Sequence, residues 1–449
     1  MLMPSQGVNE TKKRMIFIYL LVSLGLACHF VDEINENLKH GFEAREEIMS
    51  GEDDLYTVST IFWLFRTYGY NMSCDVFKRF RRKDGMFKEC LVGDAKGMLS
   101  LYEAAHLETR TEKILDEALR FTSGHLELLA EGGTIPPHIS RLIKNSLYIP
   151  QHHNIEMLFA KGYILFYEQE EDHDKILLRL SKLNFRFLQL HWIQELKTLT
   201  KWWKEQDLAS KLPPYFKDRM VEYSVDSLPD YMKPIFIFVM NIFGESKSME
   251  RSEEDEESYS VQAVLEEEFK ILMRSYVPVG DWERANTVPT FDESMEVKET
   301  QIAIFVTLLL SFLGLGHIDM ELAYKWLKSR PKFVRALARK ARLLNDMTGF
   351  EDDMSRGDEV NIVNYYMKEH NVSKEETLRE FNKMLRETKK VINEEFLKMA
   401  KRMPIHILQR AINCEKITTV TYRDGDGHTN PIGRFKDHIT SLFVELMPL

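Results

Sequence analysis

The sequence predicts an all-α protein, and three observations support this. Glycine and proline are scarce, 21 and 14 in 449 residues, while Leu, Glu, Lys and Met, all good helix formers, are plentiful. Apolar residues recur at three- and four-residue spacing through 55–79 and 96–107. Residues 173–212 read as one long helical run carrying Trp192, Trp202 and Trp203. A chain of this length holds two or three domains, and its 44% hydrophobic content is ordinary for a soluble globular protein.

Taken in order, Lys12, Lys13 and Arg14 precede the apolar run 15–30, MIFIYLLVSLGLACHF. That order imitates a secretory signal, yet the run is short for a membrane span. Residues 31–50 read as an acidic amphipathic helix or helix pair. The glycines of 124–132 and the pair Pro136–Pro137 mark turns, and Pro213 and Pro214 punctuate the chain later. No internal repeat has a fixed period. Cys28, Cys74, Cys90 and Cys414 are scattered without metal-ligand spacing, which predicts buried thiols in a reducing compartment. The formal net charge of −10 argues against nucleic acid as a partner.

The strongest chemical signal is 342–353, RLLNDMTGFEDD. On a helix, Asn345, Gly349 and Asp353 stand at i, i+4 and i+8 on one face, with Arg342 one turn earlier. An amide oxygen, a carboxylate and a gap that admits water make half a cage for Mg²⁺, which prefers oxygen ligands and keeps several waters. Arg342 could hold a phosphate oxygen in its fork. The plainer alternative is a solvated polar face.

This segment resembles the second metal motif of plant terpene synthases, class I cyclases that ionise prenyl diphosphates. Asn345 and Gly349 match the first two ligand positions, Asp353 stands where the family usually has Glu, Asp346 matches the second motif residue, and Arg342 matches a diphosphate-contacting arginine. Gly349 would act through a water. The resemblance covers nearly the whole chain: FRTYGYNMSCDVFKRF (65–80), KGMLSLYEAAHL (96–107), LTKWWKEQDLASKLPPYFKDRMVE (199–222), VPTFDESM (288–295) and TYRDGDGHT (421–429). It implies two helical domains, an N-terminal α-barrel-like domain (1–190) and a C-terminal class I terpenoid-synthase α-bundle (191–449), with the boundary near 185–195. It also places 15–30 on a buried helix.

Two departures stand out. The aspartate-rich DDxxD that should follow KDRMVE is missing, and Glu222 runs through Tyr223 and Ser224 into VDSLPDYMKP (225–234), which resembles sequence well downstream. The bundle is therefore expected to be incomplete, with a block removed near 222–225. The chain also begins where the family is already inside its first domain. Glu253–Glu257, Asp226 and Asp230 are poor substitutes for the lost aspartates, since consecutive or turn-bound acids usually stay solvated. Residues 52–54, EDD, read as a loop or cap, so initiation by protonation is not expected.

Further roles follow from the resemblance. Lys217 and Arg219 would draw off the departing diphosphate, with Arg219 counted among the catalytic residues. Tyr422 and Asp426 would belong to a catalytic lid, where His428 replaces a family tyrosine; an ordinary Gly-Asp turn is the alternative. Residues 301–315, QIAIFVTLLLSFLGL, read as a core helix that the family kinks to wall an apolar pocket. The implied cofactor is Mg²⁺, with Mn²⁺ as an alternative. The implied partner is a prenyl diphosphate, farnesyl diphosphate first, bound by a monomer without a membrane span. A cytoplasmic location is expected, or a plastid one if the N-terminus is truncated. The implied reaction is metal-triggered ionisation and cyclisation to a hydrocarbon with release of diphosphate. The competing expectation is an impaired relative that only binds.

Overall fold

A computed structural model describes residues 7–206, 261–285, 287–357 and 359–449. The chain divides into two compact units, Met1–Leu190 with Lys389–Leu449, and His191–Thr388. Both are helical. Among the described residues there is no strand, only an isolated bridge between Arg81 and Phe87.

In the first unit, helix Val8–Ser23 buries Met15, Ile18 and Leu21, so the signal-like run is part of the core. No described helix is long and apolar enough to cross a membrane. The acidic stretch that follows is a helix pair, Val31–Glu43 and Arg45–Met49. Helix Leu55–Thr67 begins where the Asp54 carboxylate accepts the Thr57 N–H at 2.9 Å, while Glu52 pairs with Lys12 at 2.8 Å. The acids of 52–54 thus serve as a cap and an ion pair. Helices Leu55–Thr67 and Ala95–Ala105 carry the middle of the core, with Phe62, Phe65, Phe77 and Leu101 fully buried.

Three sequence expectations are corrected here. The helical spacing through 55–79 is interrupted at Gly69, which takes φ +84°. A Cβ there would lie 2.5 Å from the Ala400 Cβ, so only glycine permits the close approach. The chain resumes as the 3-10 turn Cys74–Phe80. The turn expected from 124 onward occurs only at its end, because helix Lys113–Glu131 runs straight through Gly124. Its buried stripe (Ile114, Leu115, Ala118, Thr122, Leu126, Ala130) outweighs the roughly 1 kcal/mol cost of a mid-helix glycine. Pro136 and Pro137 start helix Pro137–Tyr148, where proline's missing N–H is harmless. The expectation of buried thiols holds for Cys414; Cys28 and Cys90 are exposed on short 3-10 turns, and all four thiols are free.

The terminal segment of the first unit is tied down by polar contacts. Arg110 forks onto Glu394 at 2.8 and 2.9 Å, Lys390 meets Asp116 at 2.6 Å, and Asn393 donates to the carbonyls of His106 and Glu108. The long tryptophan-bearing run is helix Lys175–Gln206.

The second unit packs helices Val261–Arg274, Tyr276–Ala285, Phe291–Gln301, Ile304–Phe312, His317–Lys328, Lys332–Ser355 and Ile362–His370. Phe291, Met295, Leu343, Phe350, Ile362 and Phe381 form a buried cluster. A reciprocal Thr290–Glu293 capping box starts helix Phe291–Gln301. The apolar run 301–315 is broken rather than continuous: Ala303 adopts φ +60°, and helix Ile304–Phe312 starts just after it with Ile304, Phe305, Leu308, Leu309 and Phe312 buried.

Candidate metal centre

Helix Lys332–Ser355 carries the spaced oxygens. Its apolar side, with Phe333, Val334, Leu337, Ala341 and Leu343 buried, fixes the rotation of its polar stripe. Arg342 and Gly349 are buried, whereas Asn345 and Asp353 remain partly exposed.

Asp346 is the electrostatic anchor of this helix. Only 3% exposed, it accepts Lys298 Nζ at 3.2 Å and the Ile362 N–H at 3.0 Å on Oδ2, and its Oδ1 takes the Arg342 guanidinium. Burial pushes its carboxyl pKa up. The charges of Lys298 and Arg342 and the Ile362 N–H outweigh this and hold it below the usual aspartate value. Lys298 also donates to the Val360 carbonyl at 2.5 Å. Arg342 Nε is buried and has no acceptor among the described residues.

One helical turn past Gly349, Asp353 Oδ2 accepts Asn361 Nδ2 at 2.9 Å, and Oδ1 pairs with Arg356 at 2.6 Å. Asn361 also donates to the Asp346 carbonyl at 3.0 Å and caps helix Ile362–His370 through the Val363 N–H. A Cβ built on Gly349 would stand 3.6 Å from Asp353 Oδ2. The missing side chain therefore leaves a gap beside a carboxylate.

These residues fit a hard divalent cation, but only as one half of a site. The donors are oxygens, the gap at Gly349 suits a water ligand, and the orphaned Arg342 N–H suits an anionic oxygen. Among the described residues no three His, Cys, Asp or Glu side chains gather as a metal cage. Lys217, Arg219, Asp226, Asp230, the acidic run 253–257 and the junction 222–225 lie outside the described residues.

The segment 421–429 belongs to the first unit. Tyr422 is buried, and its ring meets His428 edge-on at 5.5 Å. Asp426 accepts the N–H groups of His428 and Thr429 at 3.0 and 3.2 Å and the Thr429 hydroxyl at 2.6 Å, the pattern of an Asx turn.

Two residues with structural control over the centre, Lys298 and Asn361, were not singled out from the sequence. Lys298 is one lysine in a charged helix and Asn361 one asparagine after a turn. Only the fold brings them to Asp346 and Asp353.

Comparison with known proteins identifies the family. Residues 1–147 match the family model described as "Terpene synthase, N-terminal domain", and residues 218–391 match "Terpene synthase family, metal binding domain". The chain is 50% identical to Terpenoid synthase 1 of Arabidopsis thaliana, over 99% of this chain and 81% of that one. It is 44% identical to Alpha-barbatene synthase of the same plant, over 98% and 89%. The alignment to Terpenoid synthase 1 runs over 501 residues, more than the 449 of this chain, so it includes residues that this chain lacks. Isoprene synthase from grey poplar (Populus x canescens), solved with three Mg²⁺ ions and dimethylallyl-S-thiolodiphosphate, shares the fold with a TM-score of 0.83 at 22% identity, covering 97% of this chain and 93% of that one. With both family domains matched and half of the residues shared with a relative along almost its whole length, this chain belongs to the terpene synthase family.

Proposed function

We propose that this chain takes a prenyl diphosphate, farnesyl diphosphate first, with Mg²⁺ held by Asn345, by Asp353 and, through water, at Gly349. Mn²⁺ is the alternative ion. The observation that carries the reading is the polar stripe of helix Lys332–Ser355, where an orphaned guanidinium N–H at Arg342 is followed two turns later by a side-chain gap beside the Asp353 carboxylate. When bound, the metal neutralises charge on the diphosphate as it departs. Arg342 holds a diphosphate oxygen through its unmet N–H. Asp346, buried between Lys298 and Arg342, orients Arg342. Asn361 aims the Asp353 carboxylate. Lys217 and Arg219 draw the diphosphate away from the allylic cation, and the apolar wall around 304–312 excludes water. Tyr422 and Asp426 act as a lid, and the protein works as a cytoplasmic monomer.

A second reading, that this chain binds substrate but ionises it poorly, is favoured by two observations. The sequence contains no DDxxD, and a close relative carries residues that this chain lacks. Loss of preorganised electrostatic stabilisation typically costs several kcal/mol, which is orders of magnitude in rate. Incubation with farnesyl diphosphate and Mg²⁺, followed by gas chromatography of the extract, tests both. The expected result is little or no hydrocarbon from the chain as it stands. Robust product formation would refute the impaired reading and leave the first.

A further inference from the structure

A cavity of about 240 Å³ opens in the first unit and uses none of the residues of the metal centre. Its wall is largely apolar, formed by Val22, Ile34, Trp63, Phe159 and Ile405. Two buried, unmet hydrogen-bond donors and a lysine line it. Trp63 is 3% exposed, and its indole Nε1 is buried with no partner. Thr67 stands one turn further along the same helix face, and its hydroxyl is likewise buried and unmet. This is unusual, because a helical threonine ordinarily bonds back to its own helix. Lys416, on helix Ile405–Thr421, makes no hydrogen bond or ion pair among the described residues; burial lowers the pKa of its ammonium against the opposing charges of Glu156 and Glu415. Buried donors are nearly always satisfied in native proteins, so two unmet ones beside an ammonium on one cavity point to an occupant that supplies acceptors.

We propose that this cavity binds a small amphipathic monocarboxylate, its head on Lys416, Thr67 and Trp63 and its apolar body against Val22, Ile34 and Phe159. The single negative charge follows from the lining. Glu156 shares the cavity with Lys416, so a dianionic phosphate head would meet about twice the repulsion that a carboxylate meets. No arginine lines the cavity to fork a phosphate. The volume lies below the roughly 300–1,000 Å³ of pockets for drug-sized ligands, so the body is short.

Isothermal titration of the full-length protein with sodium octanoate tests the assignment. One saturable site is expected. Lys416→Met should weaken it by about tenfold, the usual effect of losing a charge-assisted hydrogen bond, and Thr67→Val by a smaller factor. Lys416→Arg should retain binding, which guards against a folding defect in the methionine variant. 1-Octanol, with the same chain and no charge, should bind at least about tenfold more weakly. Four results would each overturn the proposal: no saturable octanoate binding, equal affinity in Lys416→Met, octanol binding as tightly as octanoate, or competition by inorganic phosphate.

Discussion

Helix Lys332–Ser355 and the cavity of the first unit are opposites in how they treat charge. On the helix, Asp346 answers two buried cations and a backbone N–H, leaving one orphaned guanidinium N–H. In the cavity, an indole and a hydroxyl are buried without acceptors, beside an ammonium that shares the lining with Glu156. The lesson concerns preorganisation. A site that must hold a metal and a diphosphate needs its supporting charges fixed beforehand, whereas the cavity leaves its donors unmet until an occupant arrives.

The contrast breaks most visibly at Asp346. Replacing it by alanine strands Lys298 and Arg342 as buried cations, and the loss in urea unfolding should be about 3–5 kcal/mol. A change under about 1 kcal/mol, the range of surface pairs, would mean that the network is solvated after all. The same carboxylate predicts an acid effect. Its folded pKa lies below the unfolded value, so its contribution is present above the unfolded pKa and is lost as pH falls through the folded one. Asp346→Asn should therefore lower stability at neutral pH and flatten the acid limb of the melting curve.

On the cavity side, Glu103 accepts the N–H of Gln151, a residue of the cavity lining, at 2.8 Å. Burial raises its carboxyl pKa to about 8. Here the sign reverses: the folded state retains a proton that the unfolded state gives up, so this contribution is full below the unfolded pKa and is lost as pH rises toward about 8. Glu103→Gln should remove that alkaline loss in melts between pH 5 and pH 9, an interval that brackets the raised value; an unchanged slope would contradict it. The smallest effect is expected at Thr67. Thr67→Val removes an unmet hydroxyl without changing shape, so ligand-free stability should stay level or rise by about 1 kcal/mol while octanoate binding weakens. A clear destabilisation would show that the hydroxyl has a structural partner.

How far the sequence revealed these two places follows from their construction. The stripe Arg342, Asn345, Gly349, Asp353 lies on one helix, so its spacing is visible in the chain, as is the all-α class. Lys298 and Asn361 reach the stripe only through the packing of separate helices. The cavity was hidden for the same reason, because Trp63, Glu156 and Lys416 come from three distant helices. Gly69 and Gly124 show the same limit at small scale: one sits at positive φ just past a helix end, packed against Ala400, and the other lies inside a helix with open space beside it.

The most direct test of the central claim is calorimetric titration of inorganic diphosphate into the full-length protein with and without Mg²⁺. Weak binding that requires the metal, is lost in Asp353→Asn and survives Lys416→Met is the result predicted. Binding that is indifferent to chelation of the metal, or undiminished by Asp353→Asn, would contradict it.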